Sequence, residues 1–383
     1  MNLSLSKDEV QHRWIHAQKL DTAEPFGKGP LATKLAIEHL GYVQIDTINV
    51  IERSHHHILY TRIPKYSRED LHAAQTLEKS VFEYWTHALA YVPTRDYRFF
   101  MQDMKEMKKD PPSWYGSVKK EDHRKVIRLL KKEGPISIRD IEDDVLVEKD
   151  HPWASKKPSK RALQLGFYTG DFVVSERIGM LKQYDLAERH FGWGKTIPKP
   201  KAATRKEVLE YLLERALRSQ AVVSLDSICH LEPKKTKVEI RKLIDSKVKM
   251  RELTAVSIPG AEKILHWIKT EDLEKQSGEE NNLVHLLSPF DPLVIQRKRL
   301  ELFFGYEHRF EAYLPKEKRK FGYFALPVLL GKDIVAAIDL KTDREVRKLK
   351  IQKWSWIGKS KSAENKKRIE EELHRFEKFQ LFR

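Results

Sequence analysis

Cysteine is nearly missing from this chain: Cys229 is the only one in 383 residues. One thiol cannot close an internal disulfide or build a cysteine-based zinc site, and it fits a protein that works in a reducing cytoplasm. Long apolar runs are missing too. No stretch of eighteen apolar residues occurs, so no membrane-crossing helix is expected. Residues 1–8 are polar and hold no apolar core of the kind a secretion signal needs. Disorder is excluded by composition, since 40% of residues are hydrophobic and 33% charged, as in folded soluble domains.

What the chain does have is positive charge, a formal +16. Such an excess suggests a polyanionic partner, most commonly nucleic acid; a surface that is merely basic is the alternative. The excess is unevenly placed. Residues 341–383 hold fourteen Lys and Arg against seven Asp and Glu, nearly half of the whole.

Periodicity divides the chain. Helices are expected over residues 7–19 and 31–40, the second closed by Gly41. Residues 42–50 alternate apolar and polar, the period of a strand. Helical spacing returns over 68–77 and 82–90. From 119 to 186 the order is an amphipathic helix (121–133, with Val126, Ile127 and Leu130 inward), a stop at Gly134-Pro135, and a short strand and helix (136–141). A basic helix (159–166) and two strands (171–176 and 181–184) follow. That is the order of a winged helix-turn-helix, whose third helix enters the major groove while its hairpin touches the backbone or minor groove. The same order recurs with helices at 205–218, 224–230 (opened by Ser224 as N-cap) and 235–245. Strands at 249–257 and 261–268 flank Pro259-Gly260. Residues 271–282 read as a linker. Beyond it, 307–314, 321–329 and 333–340 read as strands of a small β-barrel-like domain, with a turn at Gly331-Lys332. A helix over 363–379 closes it, with Ile369, Leu373 and Phe376 on its buried stripe.

One pair of residues has the chemistry of a hydrolytic site. On a strand, Gln44 and Asp46 leave by the same face while Ile45 points to the core. An amide and a carboxylate aimed together into a cleft can hold a water, and the carboxylate can support the oxocarbenium-like centre that forms when a glycosidic bond breaks. An exposed polar strand face is the plain alternative. Arg53-Ser54-His55-His56-His57 follows. On a strand only His55 and His57 can converge on one metal ion, and Glu52 would face away from them. Contact with phosphate or a groove by Arg53 and the three histidines, and simple packing, are the other readings.

The run Val43-Gln44-Ile45-Asp46-Thr47-Ile48-Asn49-Val50 with Arg53-Ser54-His55-His56 resembles the signature of the AlkZ/YcaQ-type DNA glycosylases. The likeness extends through Phe82-Glu83-Tyr84-Trp85-Thr86-His87-Ala88, residues 171–184 and Leu287-Ser288-Pro289-Phe290-Asp291-Pro292. It continues through Phe310-Glu311-Ala312-Tyr313-Leu314-Pro315, Gly322-Tyr323-Phe324-Ala325-Leu326-Pro327 and Ile338-Asp339-Leu340-Lys341, covering nearly the whole chain in order. The resemblance implies an α+β fold of three tandem winged helix-turn-helix units around a DNA channel, with a C-terminal β-barrel-like domain. The expected boundaries are 1–117, carrying the Q-x-D motif, 118–200, 201–275 and 283–383. It also implies hydrolysis of N7-alkylated purines and unhooking of interstrand crosslinks, with Gln44 and Asp46 as the catalytic pair of the Q-x-D, YcaQ-like branch. That branch is associated with broader substrates, including mustard-type crosslinks and simple N7-alkylguanines. The family's His-apolar-Pro element has its nearest counterpart in His57-Ile58-Leu59, which lacks the proline, so that role is not carried over.

The expected enzyme is monofunctional and leaves an abasic site, because no lysine matches a Schiff-base nucleophile. It needs no metal or organic cofactor. It acts as a cytoplasmic, nucleoid-associated monomer on double-stranded DNA with alkylated or crosslinked purines. Glu83, Tyr84, Trp85 and His87 are read as a wall of the DNA channel with His87 facing it, core packing being the alternative for Tyr84 and Trp85. Asp291 is read as a turn former rather than a second acid. Lys160, Arg161 and Lys182 are candidate phosphate contacts, as are the cluster Arg297, Lys298 and Arg299 and a hairpin tip with Tyr306, His308 and Arg309; solvated surface charge is the alternative for each. Two other classes compete: a winged-helix transcription regulator without catalysis, and a metal nuclease built on the histidine triplet.

Overall fold

The computed structural model describes residues 3–115, 118–142, 146–149, 152, 155–194, 197–275 and 281–381. The chain forms two compact units, Met1–Ser67 with Leu209–Arg383, and Arg68–Val208.

The first unit begins with a helix, Lys7–Ala17, set by a capping box: the Ser6 hydroxyl accepts the Glu9 N–H at 3.1 Å and the Glu9 carboxylate accepts the Ser6 N–H at 2.7 Å. Val10, Trp14 and Ile15 recur on its inner face and are buried. A second helix, Gly29–Leu40, ends at Gly41 with φ 81°. Glycine is required there twice over, by the left-handed backbone and by the Arg215 stem, 2.5 Å from where a Cβ would stand. The strand Val43–Gln44 and the helix Ser54–Arg62 follow.

Two four-stranded sheets complete this unit. One has the order Leu3–Ser4, Leu253–Ser257, His266–Lys269, Val223–Ser224, parallel at the first pair and antiparallel afterwards. The other is an antiparallel meander of Val284–Leu286, Ala325–Leu330, Asp333–Asp343 and Lys348–Trp356. The expected barrel is therefore corrected to an open sheet. Its edge strand, Lys348–Trp356, was not among the expected strands, although Leu349, Ile351, Trp354 and Trp356 alternate with polar residues along it. The helix Ala363–Leu381 buries Ile369, Leu373 and Phe376, as its spacing predicts. A common core joins Trp14, Ile15 and Leu20 to Leu287, Leu293, Phe303 and Leu329.

At the centre of this unit lies an ion pair with both side chains fully buried. Arg62 Nη1 and Nη2 donate to the Asp291 carboxylate at 2.7 and 3.0 Å, and Arg62 Nε and Nη2 also donate to the Gln18 carbonyl and side-chain oxygens. Asp291 also forms the expected turn, accepting the Leu293 N–H at 2.9 Å.

The second unit contains the helix Arg68–Thr76, the hairpin Val81–Trp85 with Leu89–Pro93, and the helices Tyr97–Lys109, Lys120–Glu133 and Pro158–Tyr168. A second hairpin, Phe172–Ile178 with Leu181–Leu186, follows. The helical expectation for 82–90 is corrected to strand. Phe82 and Tyr84 are both buried despite pointing to opposite faces from Glu83, which is buried too, and such a two-sided apolar pattern imitates a helix. Glu83 forms a bidentate pair with Arg177 at 2.5 and 2.7 Å. The 307–314 strand is also corrected: those residues hold no strand and lead into a turn at Ala312-Tyr313. Of the expected linker, 276–280 lie outside the described residues. The order helix, short helix, helix, hairpin occurs at 120–186 and again at 205–269.

Removing one partner of a buried pair leaves an uncompensated charge. Asp291→Ala is expected to lower the unfolding free energy by about 3–5 kcal/mol, read from denaturant titration, whereas Arg62→Met combined with Asp291→Leu loses much less.

Candidate active site

The Q-x-D segment is held from both ends. Gln44 is 7% exposed, and its carbonyl accepts the hydroxyl of Ser54, the first residue of the next helix, at 2.7 Å. Ile45 is buried, as expected. The strand then stops. Asp46 Oδ1 accepts the Ile48 N–H at 2.8 Å, an Asx turn in which the side chain replaces a strand partner for the backbone. The expected strand over 42–50 is thus cut to two residues, and Gln44 and Asp46 do not share a strand face. Asp46 is half-buried, and it forms no ion pair among the described residues. Downstream, the Val50 carbonyl accepts the Thr342 N–H at 3.0 Å. Arg344 Nη2 reaches Asn49 Oδ1 at 2.8 Å and the Ile51 carbonyl at 3.0 Å. The carboxylate therefore sits in a short loop fixed by a helix on one side and a sheet strand on the other.

Arg53 occupies the N-cap position of the Ser54–Arg62 helix with extended backbone and no side-chain cap bond. The histidine triplet lies on that helix and not on a strand, so successive rings point about 100° apart and do not converge on one ion. The His55 ring is buried 4.3 Å from that of His56, whose Nδ1 is hydrogen-bonded to Tyr66 Oη at 2.7 Å. His57 Nε2 donates to the Leu286 carbonyl at 2.7 Å with its ring 4.5 Å from Phe376, and burial pushes its pKa down to about 4. Among the described residues no group of three or more His, Cys, Asp or Glu is placed to hold a metal ion.

The other expected contacts separate by exposure. Lys160, Arg297, Lys298 and Arg309 are exposed, Arg309 being paired with Glu307. His87 lies partly exposed in the turn of the first hairpin of its unit, its Nδ1 3.3 Å from Thr86 Oγ1. Lys182 is half-buried with its Nζ 4.8 Å above the Phe167 ring, and desolvation lowers its pKa. Five expectations are corrected by burial, the first being His55, whose ring is buried as described above. Arg161 donates to the Ser155 and Glu148 carbonyls. Arg299 donates to the Val222 carbonyl and lies 4.4 Å from the Trp14 ring centroid, its pKa pushed down to about 9 by burial. His57 is held as described above. His308 is buried beside Tyr306 at 3.3 Å, its pKa driven to about 3 by desolvation, so these two residues form no hairpin tip. Sequence reading missed Arg62 as the partner of Asp291 and Arg177 as the partner of Glu83, because a lone buried arginine has no periodic signature.

Residues 37–379 match the family described as DNA glycosylase AlkZ-like. The chain belongs to the AlkZ-like DNA glycosylases. A solved structure of Streptomyces sahachiroi DNA glycosylase AlkZ is similar in fold, with a TM-score of 0.63, 16% identity, and coverage of 99% of this chain and 98% of that one. This family membership makes the protein a DNA glycosylase with DNA as its substrate. Among the described residues no helix is long and apolar enough to cross a membrane.

The buried histidines set a pH dependence. Burial lowers the pKa of His57 and His285 to about 4 and of His308 to about 3. Unfolded histidines take a proton near pH 6.5, so between pH 6.5 and 4 the unfolded chain binds more protons and stability falls as the pH falls. Each is expected to contribute up to about 1.4 kcal/mol per pH unit in that window. Denaturant titration at several pH values should give a shallower slope for His57→Gln.

Proposed function

We propose that this enzyme hydrolyses the N-glycosidic bond of N7-alkylated purines in duplex DNA, unhooks interstrand crosslinks built on them, and leaves abasic sites, with Asp46 and Gln44 as its catalytic residues. The observation that carries the reading is Asp46 itself, a half-exposed carboxylate anchored through one oxygen to the Ile48 N–H, two residues after a buried glutamine.

N7 alkylation makes the purine cationic. When the C1′–N9 bond breaks, its electron pair moves to the base and neutralises that charge, so the leaving group needs no proton. The sugar is left as an oxocarbenium ion. A carboxylate fixed beside it stabilises the developing charge, and can accept a proton from the water that adds to C1′. Gln44 is suited to orient that water. Since the loop is fixed before substrate arrives, little reorganisation is required during the reaction.

The accessible groups nearest in character to phosphate contacts are Arg53, His56, Arg297, Lys298 and Arg309 in the first unit and, taken by themselves, His87 and Lys160 in the second. The protein acts as a monomer in this reading. A crosslinked base cannot rotate freely out of the duplex, and an open channel suits such a lesion better than a closed pocket.

The test uses duplex DNA carrying N7-methylguanine or a mustard crosslink. Asp46→Asn is expected to keep wild-type affinity while base release falls on the order of 10²-fold or more, scored as freed base and heat-labile abasic sites. Unchanged release by the variant would exclude Asp46 from the chemistry. Borohydride should trap no covalent protein–DNA adduct; an adduct would mean a lyase mechanism instead.

A further inference from the structure

Tyr313 is 82% exposed, more than any other large hydrophobic residue among those described. Its neighbour Leu314 is exposed as well. They stand on a turn that the proposed chemistry does not use. The loop is rigid at its base. Glu311 is buried, and its carboxylate accepts the N–H groups of Lys320, Phe321 and Gly322 at 2.8, 2.7 and 3.1 Å. Just beyond, buried Asp339 accepts the N–H groups of Tyr323 and Phe324, both at 2.9 Å. Gly322 has φ 141° and a Cβ there would meet Asp339 at 2.2 Å, so the crossing of chain and carboxylate is fixed. Arg319 Nε closes the tip by donating to the Leu314 carbonyl at 2.8 Å. Phe310 supports Tyr313 from below, edge to face at 5.7 Å.

Around this apolar tip the charge is predominantly positive. Residues 316–320 contain Lys316, Lys318, Arg319 and Lys320 against Glu317 alone. Lys316 and Lys318 are exposed. A solvent-facing ring normally lowers solubility with nothing gained, and two neighbouring apolar side chains held out by eight backbone and side-chain constraints are not a scattered surface residue. Cations flanking an aromatic wedge match one partner well: a duplex whose phosphates the lysines contact while the ring enters between bases.

We propose that the 311–322 loop is a wedge, with Tyr313 inserting at a base step beside the lesion and stacking on an exposed base, and Lys316 and Lys318 holding the adjacent phosphates. This rests on the reading of the protein as a glycosylase of damaged duplex DNA and adds the residue that separates damaged from intact stacking. An alkylated or crosslinked purine stacks and pairs less well than an intact one, so the wedge opens that step at lower cost. No full rotation of the base is required.

The experiment compares wild type, Tyr313→Ala and Tyr313→Phe on duplex and single-stranded DNA carrying N7-methylguanine. A parallel arm places 2-aminopurine next to the lesion and follows its fluorescence with the Asp46→Asn protein. Tyr313→Ala should lower single-turnover base release from the duplex at least about tenfold, with less than a threefold change on the single strand, where nothing needs opening. Tyr313→Phe should restore release, and the fluorescence rise on binding should vanish in the Tyr313→Ala form. Equal release by Tyr313→Ala and wild type on the duplex, or an equal loss on both substrates, would overturn the wedge. If wild type releases no base from either substrate, the glycosidic reading fails, and the fluorescence arm alone decides whether the loop opens a base step. Tyr313 is 82% exposed, so the melting temperature serves as a folding control and should stay unchanged.

Discussion

The buried Arg62–Asp291 pair is the constraint on which the rest of the first unit depends. Neither side chain meets water, so each must keep the other: separated, either charge would face a desolvation penalty of several kcal/mol. Arg62 ends the helix that starts immediately after the Q-x-D loop, and Asp291 lies some 230 residues later. The same guanidinium holds Gln18 at the end of the first helix. One ion pair thus ties three distant segments together, and Ser54, at the other end of the same helix, carries that fixed position to Gln44.

The placement of Asp46 follows from this frame. Its helix is immobilised on one side, and the end of the long strand Asp333–Asp343 with Arg344 clamps Asn49, Val50 and Ile51 on the other. Between these anchors the chain is tied at both ends by hydrogen bonds. That matters because electrostatic stabilisation of a sugar cation works only if the carboxylate is already in place; a mobile one would have to reorganise, and the advantage over water would be lost. A site on a loop is ordinarily less precise than one on a strand, and here the clamps supply the missing precision.

Much of this was legible in the residues, for identifiable reasons. Gly41 announces a helix end because only glycine takes that backbone freely. The Ala363–Leu381 helix was visible because Ile369, Leu373 and Phe376 recur at helical spacing. The Q-x-D pair itself stood out by its chemistry. Its geometry did not. The alternation in 42–50 reads as strand, yet the aspartate side chain captures the Ile48 N–H and ends the ladder after two residues. A local side-chain to backbone bond of this kind competes with secondary structure, and alternation cannot reveal it. The histidine triplet shows the converse, since a presumed strand became a helix and the question of which rings converge changed with it. Where a hairpin is buried on both faces, as at Val81–Trp85, the polar face that distinguishes strand from helix is absent.

The hardest information to extract was which cations face outward, and the outcome has a physical pattern. Arg62, Arg161, Arg177 and Arg299 are all buried, and each donates to carboxylates or backbone carbonyls. Lys160 and Lys298, adjacent in sequence to two of them, are exposed. Guanidinium is planar, weakly hydrated and offers five donors, so it can be satisfied inside; ammonium is strongly hydrated and stays in water. On a helix neighbouring residues point about 100° apart, so in Lys160-Arg161 and Lys298-Arg299 the lysine faces outward while the arginine turns inward. A net charge of +16 therefore overstates what a phosphate backbone meets. Part of that charge holds the protein together, and the part left to attract DNA is largely lysine, whose contacts are undirected and sensitive to salt. Such contacts are independent of sequence, so in the reading proposed above discrimination between damaged and intact bases would fall to the short-range groups, the fixed carboxylate and the apolar tip.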